Sequence, residues 1–159
     1  SLLETSTIRL IPAEAVYAVF DAKPSINATT LKYSAAKATS VRQLLRTSAP
    51  IVHAGSVLPP RDVFPIVAGI IAERVDWADG FGTAFSQALS DLKSDQGRID
   101  CGCGLSHGAF DIFDPSGDIA HGRQDAGLVF FLFRFLNKLQ SLGTVPAIDW
   151  NAYAKLLQA

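Results

Sequence analysis

The sequence contains no methionine and only two cysteines among its 159 residues. Two cysteines cannot form the set of disulfides that staples many small secreted domains. No run of 18 apolar residues is present, and the longest one, residues 126–133, is too short to cross a bilayer. The first residues also lack the basic and apolar regions of a signal peptide. These absences favour the cytoplasm without fixing the compartment.

Recognisable catalytic motifs are absent as well. The sequence has no glycine-rich nucleotide loop, no serine nucleophile elbow and no HExxH zinc motif. No enzyme class is therefore indicated, and the sequence leans against an enzyme. A net charge of −1 also excludes a strong overall field toward nucleic acid or an anionic membrane.

The composition is that of a folded protein. The sequence is 48% hydrophobic and 18% charged, well outside the range of disordered chains. Its length predicts a single domain over residues 1–159, with residues 1–10 as a possible extended arm.

The most apolar segment, residues 125–142, predicts the fold class. Its large apolar residues recur at helical spacing, so we expect a buried central helix. The sequence therefore predicts a mainly α fold of five or six helices around residues 125–142, with an irregular or β-hairpin insertion near 98–114. The alternative is an α+β fold with a small sheet from segments near residues 8, 51, 100 and 110. The apolar stripe consists of Leu128, Phe131, Leu132, Phe135, Leu136 and Leu139.

Helical spacing and capping residues predict the other helices. Asp62 is expected to cap a helix whose apolar face runs to Val75, and Asp149 to cap the last helix. Further helices are expected over residues 12–22, 30–47 and 83–92.

Charge is separated along the chain. Residues 22–61 contain six basic residues and no acidic one, whereas residues 76–125 contain nine acidic and three basic residues. We interpret the sequence as a non-enzymatic assembly or protein-interaction module that self-associates through these segments. Two alternatives remain. The blocks could face each other within one fold or be solvated faces with no partner, or the basic segment could bind nucleic acid or an anionic surface. The partner-binding candidates are Lys32, Lys37, Arg42 and Arg46.

The second candidate site is the segment 100–123, predicted to be a loop rich in Cys, His and Asp. Cys101 and Cys103 could act as nucleophiles activated by His107 or His121, which gives a small hydrolase or transferase. The same four side chains could instead hold zinc in a structural domain, although Cys-x-Cys is unlike the usual knuckle spacing. A third possibility is a structural loop without a site. No cofactor is favoured, although zinc is possible; a calcium site at Asp111, Asp114, Ser116 and Asp118 is disfavoured, because the spacing does not match an EF-hand loop.

Overall fold

The computed structural model describes residues 3–4, 9–92 and 95–156. The strands are β1 (Leu3–Glu4), β2 (Arg9–Leu10), β3 (Ala18–Ile26), β4 (Ile51–His53), β5 (Ser56–Leu58), β6 (Val67–Val75), β7 (Cys101–Gly104), β8 (Gly108–Asp111) and β9 (Ala120–Gly122). The α-helices are α1 (Ala28–Arg42), α2 (Thr83–Ser90), α3 (Gly127–Leu142) and α4 (Trp150–Leu156).

The chain forms two compact units. The larger unit comprises Ala18–Gln43 and Ile66–Ser141, and the smaller one comprises Ser1–Tyr17, Leu44–Pro65 and Leu142–Ala159. The single domain over residues 1–159 stays a prediction. Within the predicted arm, β1 and β2 pair as antiparallel strands, and the other positions up to residue 8 lie outside the described residues.

The larger unit is built on a five-stranded mixed sheet with the order β3-β6-β7-β8-β9. Strand β3 is parallel to β6 and β6 is parallel to β7, whereas the last three strands are antiparallel neighbours. Helix α1 and residues 44–65 lie between β3 and β6 in the chain, since a parallel pair requires a long crossover connection. The sheet therefore has β3 at one edge and the long strand β6 next to it.

Helices cover both faces of this sheet. On one face, Ile70 of β6 and Phe110 of β8 belong to the same core cluster as residues of α1 and α2, including Leu31 and Phe85. On the other face, Phe20 of β3 makes edge-to-face contacts with two phenylalanines of α3, with centroids 5.1 and 5.7 Å apart. The Phe20 ring also occupies the space where a side chain at Gly69 would begin, so β3 and β6 require glycine there.

The prediction of a mainly α fold is wrong, because the structure is α+β. The helix predicted after Asp62 is strand β6, whose residues are mostly buried. The sequence of a strand covered on both faces is a continuous apolar run. Its periodicity alone does not distinguish such a strand from a buried helix. Of the segments in the α+β alternative, those near residues 100 and 110 lie in the sheet, Ile51 lies in a separate hairpin, and residue 8 is outside the described residues.

Two other sequence interpretations are also corrected. The helix predicted over residues 12–22 is replaced by a short 3₁₀ turn and the start of β3. The segment 100–123, expected to be a loop, contains the strands β7, β8 and β9, and the hairpin near 98–114 is an integral part of the sheet. The helices over 30–47 and 83–92 correspond to α1 and α2 with shorter bounds.

Helix α3 exists, but it is not the buried centre of the fold. Only Gly127 and Phe131 of this helix are buried. Leu128, Leu132 and Leu136, which belong to the predicted stripe, are 44–52% exposed, and Phe133 is 69% exposed. The core instead lies between the sheet and the helices α1 and α2.

Helix α3 is tied to the sheet by a buried ion pair. The guanidinium of Arg134 donates two hydrogen bonds to the carboxylate of Asp111 in β8, with N–O distances of 2.8 and 2.6 Å. Asp111 is 1% exposed, so its charge depends on this partner. A bidentate pair also fixes the orientation of the two groups.

The smaller unit contains the β4–β5 hairpin and α4. Within this unit, the side chain of Glu14 is buried, with 1% of the residue exposed. The Glu14 carboxylate accepts hydrogen bonds from the N–H and hydroxyl of Thr47 at 2.7 Å and from the Tyr153 hydroxyl at 2.6 Å. These contacts join three distant segments of the sequence. Asp149 caps α4 as predicted, since its carboxylate accepts the N–H of Ala152.

Among the described residues, no helix is both long and apolar enough to cross a membrane.

The ion pair of Arg134 can be tested by replacing this residue with methionine, which retains an unbranched side chain without the charge. The substitution leaves the buried Asp111 carboxylate without its cation. We expect the free energy of unfolding to fall by about 2–4 kcal/mol. The expected loss of unfolding free energy is smaller than for a fully enclosed ion pair, because the Arg134 side chain is 36% exposed. Denaturant unfolding measures the loss.

Arg123→Met is the matched control. Arg123 pairs with Asp125 at the surface, where the two side chains are 82% and 70% exposed. For Arg123→Met, the free energy of unfolding is expected to fall by less than about 1 kcal/mol. Equal losses for the two variants would contradict a structural role of the buried pair.

Candidate active site

A small group of polar side chains lies on the edge strand β3. Asp21 and Lys23 are two positions apart, so their side chains leave the same face of the strand. This is the face that α1 covers, since Ser34 and Lys37 of α1 both contact Asp21. A carboxylate is thus held between a strand and a helix of the larger unit.

Both oxygens of Asp21 are engaged by donors. Oδ2 accepts a hydrogen bond from the Ser34 hydroxyl at 2.8 Å and lies 3.0 Å from Nζ of Lys23. Oδ1 lies 3.2 Å from Nζ of Lys37. The side chains of Asp21 and Lys23 are only 13% and 19% exposed, whereas that of Lys37 is 52% exposed. One negative and two positive charges meet here, which leaves a local excess of positive charge.

The donors keep Asp21 ionised. Burial by itself raises the pKa of Asp21, but the hydrogen bonds from Lys23, Ser34 and Lys37 outweigh it and lower the pKa below its ordinary value. The pKa of Lys37 is raised in turn, chiefly by its hydrogen bond to Asp21. At neutral pH Asp21 is therefore a carboxylate and Lys37 an ammonium ion.

A small cleft of about 150 Å³ opens beside this group. Asp21, Ser34 and Lys37 contribute its polar wall, and residues of β3, α1 and β6 together with Ile99 form the apolar remainder. The site therefore combines an accessible cation with a partly enclosed carboxylate. This arrangement suits an anionic ligand, or a hard metal ion with an anionic ligand bound to it.

Sequence reasoning missed Asp21, Lys23 and Ser34. The signal was present as Asp-x-Lys inside an apolar segment, where strand geometry brings the two side chains together. The helix predicted over residues 12–22 ends before Lys23, so it gives no reason for the two side chains to lie on one face. The error in secondary structure therefore hid the site.

The predicted basic residues have different environments. Lys37 belongs to the Asp21 group, and Lys32 is exposed on α1. Arg42 donates to the backbone carbonyls of residues 66, 96 and 98 and pairs with Asp100. Arg46 donates to the carbonyl of Phe64 at 2.6 Å. The Arg42–Asp100 pair joins the basic and acidic segments within one unit, and a partner-binding role for the four residues stays a prediction.

The four Cys and His candidates do not converge. Cys101 and Cys103 are buried in β7, on one face of the sheet. The strand register puts His121 opposite Phe110, and Phe110 opposite Gly102, so His121 belongs to the other face. Nδ1 of His107 accepts the backbone N–H of Val75 at 3.3 Å. In the described part of the chain, no three Cys, His, Asp or Glu side chains form a group suited to a metal.

The thiols are also poorly suited to nucleophilic chemistry. Burial is the main cause that raises the pKa of Cys101, with a further contribution from the charges of Asp100 and Asp111. Burial likewise raises the pKa of Cys103. A thiol must ionise to act as a nucleophile, so both remain in the unreactive form at neutral pH.

Comparison with known proteins gives this geometry a context. The chain is 45% identical over 150 residues to the endodeoxyribonuclease NucC of Escherichia coli strain MS 115-1 and 39% identical over 148 residues to that of Pseudomonas aeruginosa. This chain is similar to NucC endodeoxyribonucleases. The matches cover 93% of this chain and 61% of each NucC, so the chain spans about three-fifths of their length. No family model matches the sequence.

Solved NucC structures share the fold. The apo form of E. coli MS115-1 NucC superposes with a TM-score of 0.85 at 41% identity, over 92% of this chain and 65% of that protein. The cAAA-bound form of P. aeruginosa ATCC27853 NucC superposes with a TM-score of 0.91 at 37% identity, over 99% of this chain and 65% of that protein. The α+β architecture described above is therefore that of NucC.

These similarities overturn the functional interpretation of the sequence. A non-enzymatic assembly or protein-interaction module is contradicted, because the relatives are nucleases. The two alternatives, a Cys/His hydrolase or transferase and a zinc-binding structural domain, are contradicted on the same ground. The prediction depended on charge blocks and on a loop that the fold turns into paired strands.

The state of the two thiols can be tested with a thiol reagent at neutral pH. In the native protein we expect Cys101 and Cys103 to resist labelling, because both are buried and protonated. The same protein unfolded in guanidinium is the control, and there both thiols should react. Rapid labelling of the native protein would contradict their burial in β7.

Proposed function

We propose that this chain carries active-site residues of a DNA endonuclease, with Asp21 and Lys23 at the centre of the site. The observation that carries the proposal is the Asp21 carboxylate, held between two lysine ammonium groups beside an open cleft. Similarity to the NucC endodeoxyribonucleases supports DNA as the substrate. The reaction is hydrolysis of a phosphodiester bond.

Phosphodiester hydrolysis requires that negative charge on the phosphate be neutralised and that a water molecule be activated. Magnesium is commonly bound in such sites by one or two carboxylates together with water and substrate phosphate. Asp21 fits this use, because it is ionised, lies at the wall of the cleft and has about four acceptor sites, of which Ser34, Lys23 and Lys37 occupy three. A bound divalent cation would supply a polarised water and charge neutralisation at the phosphate.

Lys23 has a separate role in the proposal. Its ammonium group is held next to Asp21 and is largely enclosed, with 19% of the side chain exposed. A buried ammonium group interacts strongly with a developing negative charge, because little water screens it. Lys23 is therefore suited to hold a phosphate oxygen whose charge increases during bond cleavage.

Three other acidic residues have roles in the fold. Asp111 and Asp100 are buried and paired with arginine. Asp114 accepts the N–H and hydroxyl of Ser116 in a turn, which is a common use of aspartate in turns. Asp21 combines partial enclosure, two cations and a cleft.

The proposal is tested with Asp21→Asn and Lys23→Met in the full-length protein. Cleavage of plasmid DNA in the presence of Mg²⁺ is expected to fall by about 100-fold or more in each variant, the scale for removing one group that stabilises a transition state. Asp91→Asn, at the residue directly after α2, is the matched control, because the Asp91 side chain is exposed and accepts a hydrogen bond from Gln87 away from the Asp21 group. Its activity should equal that of the unsubstituted protein.

Circular dichroism and thermal unfolding check that each variant folds. A folded Asp21→Asn variant with undiminished cleavage would refute the assignment of the site. A protein that cleaves no DNA under any of these conditions would refute the proposed activity itself.

We also propose that the protein binds cAAA. The support is the superposition with the cAAA-bound P. aeruginosa NucC, which extends over 99% of this chain at a TM-score of 0.91. A second relative, E. coli MS115-1 NucC, is also known in a cAAA-bound form and superposes with a TM-score of 0.86. Both relatives at this level of similarity therefore accept the same cyclic ligand.

Binding of cAAA should raise the melting temperature of the full-length protein, because a ligand that binds only the native state stabilises it. At a ligand concentration 100 times the Kd, the gain is about 2.7 kcal/mol. Linear AAA trinucleotide is the control and should have a smaller effect. Equal shifts for the two ligands, or no heat of binding for cAAA in calorimetry, would contradict the proposal.

A further inference from the structure

One aromatic ring contacts both cations of the Asp21 group. Nζ of Lys23 lies 4.4 Å from the ring centroid of Tyr33, and Nζ of Lys37 lies 4.7 Å from the same centroid. Tyr33 and Lys37 are four positions apart on α1, so helix geometry puts them on the same side. Lys23 reaches the ring from β3. Tyr33 therefore connects the lysine of the strand to the lysine of the helix.

We propose that Lys37 is a second phosphate-binding residue of the nuclease site and that Tyr33 positions Lys23 and Lys37 for this purpose. The proposal rests on the function proposed above and adds a residue that binds the substrate and a residue that acts through its neighbours. The ligand is the phosphate backbone of DNA, and binding by these lysines does not depend on the base sequence.

The pairing of the lysines with Asp21 supports this role. Each ammonium group approaches a different carboxylate oxygen, Lys23 at Oδ2 and Lys37 at Oδ1. A lysine ammonium has three donor hydrogens, and the contact with Asp21 uses only part of this capacity. The remaining donors can bind phosphate oxygens while the carboxylate still orients the group. The two lysines thus offer donors on both sides of one carboxylate.

Tyr33 offsets the repulsion expected between two ammonium groups that contact the same carboxylate and the same ring. The electron-rich face of an aromatic ring attracts cations. One ring that serves two ammonium groups fixes their spacing more closely than flexible side chains would allow. The Tyr33 side chain has no other evident structural purpose in the core, because the residue is 53% exposed.

The side chain of Lys37 is more exposed to solvent than that of Arg42 on the same helix. Half of its side chain is exposed at the wall of the cleft. Arg42 is engaged with backbone carbonyls and Asp100, and only 9% of its side chain is exposed. Of these cations on α1, Lys37 is the one suited to meet a ligand that enters the cleft.

The test compares Lys37→Met with Lys32→Met and Lys155→Met in the full-length protein. All three substitutions remove one positive charge from an exposed lysine, but only Lys37 contacts Asp21. We expect Lys37→Met to lower kcat/KM for DNA cleavage by about 10-fold to 100-fold, below the effect of a fully enclosed donor. Lys155→Met, on α4, should retain full activity. Lys37→Arg should recover part of the loss, because it restores the charge.

A binding measurement separates a phosphate contact from a structural effect. The affinity for duplex DNA falls as salt rises, and removal of one phosphate contact lowers the slope of this dependence by about 1. We expect this change for Lys37→Met. An unchanged slope together with unchanged kcat/KM would overturn the proposal, and so would equal losses for Lys32→Met and Lys37→Met.

The positioning role of Tyr33 is tested by rescue. Tyr33→Leu removes the ring and should lower kcat/KM by about 10-fold, about the effect of losing 1.4 kcal/mol of stabilisation in the transition state. Tyr33→Phe retains the aromatic face and should preserve most of the activity. Equal activity of the leucine and phenylalanine variants would refute the positioning role.

Asp21→Asn distinguishes this proposal from the one on which it rests. If Asp21→Asn is inactive while Lys37→Met and Tyr33→Leu are fully active, the proposed nuclease site stands and the proposed roles of Lys37 and Tyr33 are refuted. An active Asp21→Asn protein would reject the site as a whole.

Discussion

The larger unit depends on the burial of strand β6 on both of its faces. This strand has parallel neighbours on either side, and a parallel sheet of this kind is stable only when helices cover both surfaces. Helices α1 and α2 supply the cover on one face, and Phe131 and Phe135 of α3 contact the other at β3. The ion pair between Arg134 and Asp111 then holds α3 in place. The packing of the unit follows from the need to exclude water from one strand.

The candidate site lies at the edge of the sheet, where water is no longer fully excluded. At the edge strand β3, the face toward α1 changes from apolar residues to Asp21 and Lys23. Ser34 and Lys37 extend the polar group onto the helix. Charged groups in this position avoid the full cost of burial but are still shielded enough for their interactions to be strong. The fold therefore provides a rigid frame and a partly enclosed charge cluster at the same place.

Much of the local structure could be predicted, but the site could not. Asp149 was correctly expected to cap the last helix, and α1, α2 and α3 were found near their true positions, because capping and helical spacing are local properties. Lys37 was selected for its charge alone. Asp21 and Lys23 were missed because their proximity exists only if residues 18–26 are extended. Cys101 and His121 appeared close in sequence, yet the register of β7, β8 and β9 assigns them to opposite faces.

By itself, the sequence determined the apolar content, the approximate positions of α1 to α4 and the separation of charge, since each is a property of residues near one another in the chain. The tertiary structure alone decided that the segment after Asp62 is a strand, that α3 is largely exposed, and that a lysine from α1 meets a carboxylate from β3. The physical reason is that sheet pairing and side-chain burial depend on distant segments. An apolar run of a given length can be buried equally well as a strand or as a helix, and only its partners select between them.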